Sequence, residues 1–210
     1  MSRWRHGPKP VIGLVGGIGA GKSTAARLLT ARGGIMVDAD ALGHDALEQP
    51  DIRQSIIRLF GDHSSIIRPD GRIDRRAVGR IVFQKNDARR ALEAVVLPYI
   101  RVRAEAALAA AQADPAARFV VLDAAVMLEA GWDGVCDKVV YVDAPREQRL
   151  ARVAARSGWS EEELAAREAA QWPAERKMAA AHAVVVNDAG PEELGRRLDE
   201  LLRHWGIPAG

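Results

Sequence analysis

Residues 16–23 read GGIGAGKS, a dense run of glycine that delivers one ammonium and one hydroxyl, Lys22 and Ser23, to the same place. The spacing is G-x-x-x-x-G-K-[ST]. Such a loop can turn several backbone N–H groups inward on one polyanion, because glycine allows the dihedrals that the turn demands. A helix starting at the lysine would add the positive end of its dipole. The chemistry implied is capture of a nucleoside triphosphate by Gly17, Ile18, Gly19, Ala20, Gly21, Lys22, Ser23 and Thr24, with Lys22 on the β- and γ-phosphates and Ser23 on Mg²⁺. A glycine-rich turn that binds nothing is the bland alternative. The flanking sequence argues against it, since a β-branched apolar run (residues 11–15, VIGLV) precedes the loop and a helical pattern follows.

Three more groups of residues could act on a bound triphosphate. Asp38 and Asp40 close the run IMVDAD and stand two apart, which on an extended segment puts both on one side. One could polarise an acceptor hydroxyl while the other helps hold metal or substrate; an aspartate at a strand–helix junction also caps helices. Asp123 ends FVVLD, and an acid there supports Mg²⁺ beside a phosphate loop, or else acts as a cap or ion-pair partner. Arg146, Arg149, Arg152, Arg156 and Arg167 follow the fourth strand, with Arg149, Arg152 and Arg156 at i, i+3 and i+7 on one helical face. A solvated basic face is the common outcome of such a run. In a nucleotide-binding setting the same arginines, Arg152 and Arg156 ahead of the others, would lie in a lid over the transferring phosphate.

The elements that must position these groups alternate along the chain. Strands are expected at residues 11–15, 35–40, near 118–123, 137–145 and 181–188, with helices between them and an amphipathic helix from Pro191 to the end. Apolar strands alternating with helices indicate a parallel sheet covered on both faces. Two stretches interrupt the alternation: residues 45–115, helical without a convincing strand, and residues 146–180, helical and rich in arginine. Gly61, Asp70, Gly71 and Pro98 read as turn and boundary residues.

Composition narrows the function classes. Net charge is +2, from 30 basic and 28 acidic residues, so long nucleic acid is not an expected partner. The single cysteine, Cys136, excludes an internal disulfide and fits a reducing, cytoplasmic setting. No apolar run approaches the ~20 residues of a membrane span. The basic opening MSRWRHGPKP reads as a disordered leader rather than a signal peptide. His44, His63 and His182 share no metal-ligand spacing with Cys136.

Taken in order, these segments resemble the dephospho-coenzyme A kinases. IGLVGGIGAGKSTAARLL is similar to that family's opening loop and VDAD to its next strand. GRIDRRAVGRIVF, RRALEAVVLPYIR and VVLDAAVMLE are similar to its following motifs, RLARVAARSGWSEEELAAREAAQWPAERK to its lid, and VVVND to its last strand. Four positions depart from the pattern: Leu97 where the family has histidine, Ala125 for proline, Arg149 for glutamine and His182 for aspartate. The resemblance implies a three-layer α/β P-loop NTPase fold, one domain over residues 1–210. Its parallel five-stranded core would span residues 10–44, 116–145 and 181–206, with a helical acceptor lobe at 45–115 and a lid at 146–180. It also implies ATP and Mg²⁺ as cofactors and dephospho-coenzyme A as acceptor, with the γ-phosphoryl passing to a ribose 3′-hydroxyl. Asp40 would be the base or hydroxyl-orienting group, Arg75 and Arg101 acceptor contacts, and Asn187 a contact on the adenine side. No membrane partner is implied, and a monomer is favoured. A kinase of the same architecture acting on another small acceptor, and a nucleotide-dependent switch protein, are the alternatives.

Overall fold

A computed structural model describes residues 4–61 and 66–208; His63 lies outside them. They divide into two compact units, one made of the residues up to Asp38 with those from Leu108 on, the other of Ala39–Ala107.

The first unit is built on five strands: β1 (Val11–Gly16), β2 (Gly34–Asp38), β3 (Phe119–Asp123), β4 (Lys138–Asp143) and β5 (Ala183–Val186). They hydrogen-bond in the order β2-β3-β1-β4-β5, and every pairing is parallel. Every residue of β1 and β3 is buried, which is why these strands read as continuous apolar runs. Side chains alternate between faces. Ile12, Leu14, Phe119, Val121, Val140 and Val142 share one core cluster with Ala25, Ala26 and Leu29 of α1 (Lys22–Thr30) and Leu194, Leu198 and Leu202 of α9 (Pro191–His204). On β1 and β4 also packs α8 (Ala174–Ala180). Between β4 and α8 run α6 (Arg146–Ser157) and α7 (Glu161–Ala169). Ser160 and Glu163 start α7 with a reciprocal capping box, and Pro191 occupies the first turn of α9.

The second unit holds α2 (Ala39–Glu48), α3 (Pro50–Phe60), α4 (Arg75–Gln84) and most of α5 (Asn86–Ala113). Asp74 caps α4 by accepting from the Arg76 and Ala77 amides at 2.9 and 3.1 Å. Hydrogen bonds to those amides hold its carboxyl below the usual range.

Three sequence expectations change. The second strand stops at Asp38, and Asp40 sits in the first turn of α2, so the two acids do not share an extended face. Once the chain turns helical, residues two apart diverge by about 200° around the axis. Pro98 lies inside α5 rather than at a boundary; the surrounding helix absorbs the loss of one amide donor. The leader is held from Trp4 on. The Arg5 amide donates to Asp137 at 2.7 Å, the Lys9 amide to Gln112 at 3.0 Å, and the Lys9 ammonium to the Gln112 carbonyl at 2.8 Å, near the end of α5.

Candidate active site

In an open parallel sheet the ligand crevice lies outside the carboxyl ends of the strands. Those ends carry Gly16, Asp38, Asp123, Asp143 and, one residue past β5, Asn187. Asp38 and Asp123 are register partners on adjacent strands. They and Ser23 line one cleft of about 480 Å³, which continues along α1 past Ala26, Arg27, Thr30 and Ala31 to Met36.

Residues 17–21 form the loop, and Lys22, Ser23 and Thr24 are the first turn of α1. Gly21 caps that helix at φ 97°, in the left-handed region. A Cβ there would lie 2.1 Å from Asn187 Nδ2. One on Gly19 (φ 78°) would lie 2.7 Å from the Arg149 carbonyl oxygen. These glycines therefore answer both to dihedral and to close approach from behind.

The close approach has a polar counterpart. A loop that points N–H groups inward points carbonyls outward, and buried carbonyls require donors. Asn187, itself buried, donates from Nδ2 to the Ala20 carbonyl at 2.8 Å. Arg152 Nη1 reaches the Gly19 and Ala20 carbonyls, each at 3.3 Å. Its Nη2 donates to the Asn187 carbonyl at 3.1 Å and to Gln148 at 2.9 Å. Arg149 Nη1 donates to the Ile18 carbonyl at 3.3 Å and is ion-paired with Glu168. Arg156, one turn beyond Arg152, is exposed on α6.

At the mouth of the loop, the Lys22 ammonium is ion-paired with Asp123 Oδ1. Asp123 is 7% exposed, so a cation beside it offsets the cost of burying its charge. The carboxylate and the Ser23 hydroxyl are hard oxygen donors of the kind Mg²⁺ prefers. Among the described residues no three His, Cys, Asp or Glu side chains gather into a cage. That donor set suits an ion that keeps most of its shell from water and phosphate.

A second buried group lies where α7 passes to α8. Lys177, 2% exposed, donates to Gln171 Oε1 at 2.9 Å and pairs with Glu129 Oε1 at 2.9 Å. Glu129 Oε1 also accepts from the Trp172 amide at 2.9 Å. Glu129 Oε2 is buried and has no hydrogen-bond partner among the described residues.

The remaining site residues read from sequence belong to the helical unit. Asp40 lies in the first turn of α2. Arg75 opens α4 with its guanidinium against His44 Nε2. Arg101, exposed on α5, donates from Nε to Glu105 at 2.9 Å.

Comparison with known proteins adds four findings. The dephospho-CoA kinase family model matches residues 10–193. A dephospho-CoA kinase of Geobacter sulfurreducens is 42% identical over 192 residues, 91% of this chain and 96% of its own. Among solved structures, one from Thermus thermophilus superposes with a TM-score of 0.80 at 39% identity, covering 93% of this chain and 97% of its own. A shikimate kinase of Acinetobacter baumannii shares the fold alone, with a TM-score of 0.51 at 18% identity over 95% of this chain and 96% of its own.

Proposed function

Because the chain belongs to the dephospho-CoA kinase family, we propose that it transfers the γ-phosphoryl group of ATP to the ribose 3′-hydroxyl of dephospho-coenzyme A, giving coenzyme A and ADP. It is a P-loop kinase, and the assignments below are our reading of its residues. The observation that carries the reading is the convergence of the Lys22–Asp123 pair, Ser23 and Asp38 at the strand ends under the loop.

The amides of residues 17–24 take the phosphates, and the dipole of α1 adds to them. Lys22 neutralises charge that develops on the β- and γ-phosphates. Its carboxylate partner keeps the ammonium aimed until the triphosphate competes for it. Ser23 and Asp123 would hold Mg²⁺, which when bound would offset phosphate charge. Asn187 and Arg152 hold the loop backbone and border the nucleotide, and Arg156 contributes a cation to the transferring group. Asp40 orients the 3′-hydroxyl and takes its proton. The oxygen then bonds to phosphorus as the bond to the β–γ bridging oxygen breaks. Arg75 and Arg101 contact the acceptor, whose anionic groups suit guanidinium donors. Residues 45–115 serve the acceptor and 146–180 act as the lid, whose closure excludes water that would otherwise take the phosphate. A cytoplasmic setting fits the single cysteine, which calls for no oxidising compartment. No described helix is long and apolar enough to cross a membrane.

The test is incubation with Mg·ATP and a panel of alcohols: dephospho-coenzyme A, shikimate, nucleosides and nucleotides. Mass spectrometry should show phosphate gained by dephospho-coenzyme A at the 3′ position. Faster phosphorylation of another acceptor would replace the assignment, and ATP binding without any phosphorylated product would point to a switch protein.

A further inference from the structure

Arg149 has two partners that pull it in different directions. Its Nη1 donates to the Ile18 carbonyl at 3.3 Å, on the outward face of the phosphate loop. The same nitrogen is ion-paired with Glu168 Oε1 on α7. The other oxygen of Glu168 accepts from Arg146 Nη1 at 2.9 Å, and Arg146 Nη2 reaches Glu161 at 3.2 Å. The guanidinium is largely buried, and a Cβ on Gly17 would stand 3.3 Å from its Nη1. The group is packed against the back of the loop, and the contacts it makes there are to backbone carbonyl.

Resting on the nucleotide-binding reading above, we propose that Arg149 is a positioning residue of the phosphate loop, and that Glu168 pins it there. A peptide unit is one dipole. A cationic donor on the Ile18 carbonyl fixes the orientation of that unit and polarises the next amide, that of Gly19, toward the phosphate side. Glu168 supplies what the carbonyl alone does not, a charge that holds a long, flexible side chain in one place. Two arginines and the surrounding burial decide its state: burial acts to raise its carboxyl, and bonds from Arg149 and Arg146 outweigh that and hold it below the usual range. The lid helix α7 is thereby coupled to the loop backbone through one ion pair. Arg152 staples the next two carbonyls from the same helix, but among the described residues its other contacts are neutral, so of these two staples the Arg149 one depends on charge from α7.

The experiment is titration calorimetry of the full-length protein with Mg·ATP, paired with steady-state kinetics, on wild type, Arg149→Ala, Arg149→Gln, Arg149→Lys, Glu168→Gln and the Arg149→Ala/Glu168→Gln double variant. Arg149→Ala and Glu168→Gln should each weaken Mg·ATP about 5- to 20-fold at low salt, seen as a raised KM for ATP. The KM for the acceptor should stay within about twofold. The double variant should be no weaker than Arg149→Ala alone, since the two side chains act as one unit. Arg149→Lys should recover part of the loss, and Arg149→Gln should match Glu168→Gln. Raising salt from about 0.05 to about 0.5 M should shrink the ratio of wild type to Glu168→Gln. Wild-type ATP affinity in Arg149→Ala, or losses that simply add in the double variant, would overturn the proposal. So would lowered melting temperatures with ATP affinity intact, which mark a merely structural pair. A wild-type protein silent toward Mg·ATP would instead sink the nucleotide-binding reading itself.

Discussion

The nucleotide end and the helical unit treat their arginines differently. Arg149 and Arg152 are part-buried, and each reaches backbone carbonyls of a loop more than a hundred residues away in sequence. Arg101 is exposed and bonds to Glu105 on its own helix, while Arg75 is set against His44 on α2, in the same unit. Long-range bonds to backbone fix a geometry before any ligand arrives, because the chain has already lost the entropy of ordering them. An exposed pair four residues apart on a helix is worth only a few tenths of a kcal/mol, so its arginine gives up its partner cheaply. On the proposed reading, the donor end is built in advance, and the acceptor end keeps its cations exchangeable.

The largest effect should come from breaking the prebuilt end. We predict that Lys22→Ala lowers kcat by about 10²–10³-fold or more. The variant loses the cation for the phosphate tail and leaves Asp123 buried without its partner. Lys22→Ala/Asp123→Asn should then be more stable than Lys22→Ala alone, yet no more active. Thermal melting beside initial rates checks both halves, and near-wild-type turnover in Lys22→Ala would remove the loop from the mechanism. Asp40→Asn comes next. It should lower kcat by about 10²-fold, the low end of the range for losing a general base, with ATP affinity by calorimetry unchanged. Loss of ATP binding in that variant would reassign Asp40 to the metal.

That asymmetry also governs what could be read from the chain alone. The loop, the alternation of strands and helices along the chain and Asp123 are local features: a glycine spacing, β-branched runs, an acid where a run ends. The resemblance supplied Asn187 as an adenine-side group, and the structure adds that its amide holds the Ala20 carbonyl. The point where β2 gives way to α2 was not legible, because VDAD fits either a strand end or a helix start and tertiary context decides. Pro98 was misread for a related reason: a proline is usually a boundary, but α5 extends well to both sides and tolerates one lost donor. The Glu168–Arg149 pair and the Glu129–Lys177 pair had no signal at all. Their partners are 19 and 48 residues apart, and no periodicity links them.

Arg75→Ala sharpens the contrast from the exchangeable side. It should raise the KM for dephospho-coenzyme A roughly tenfold, about 1.4 kcal/mol, through loss of one charged contact. ATP affinity and melting temperature should hardly move, since the residue is exposed and its partner among the described residues is one histidine. Arg101→Ala should follow the same pattern with a smaller or equal effect. A change in ATP affinity as large as that in acceptor KM would erase the distinction between the two ends.

The smallest effect concerns His182, just before β5. Its Nδ1 accepts from the Val139 amide at 3.0 Å, which requires that nitrogen to be unprotonated. Burial, with Lys138 and Arg5 nearby, pushes its pKa below 6.5. The unfolded chain therefore binds a proton more readily than the folded one between the depressed value and 6.5. Stability from this group is complete above pH 6.5 and is lost as pH falls through that window. Denaturant melts between about pH 5 and 7.5 should show a decline on the acid side that His182→Asn lacks, because an asparagine oxygen can accept the same amide without titrating. The pH profile of kcat should be the same in both proteins, since the bond ties β4 to the start of β5 and lies outside the cleft lined by Ser23, Asp38 and Asp123. An acid limb in kcat that vanished with the histidine would show that even this distant, prebuilt contact feeds the nucleotide end, and the contrast between fixed and exchangeable groups would have to be redrawn around it.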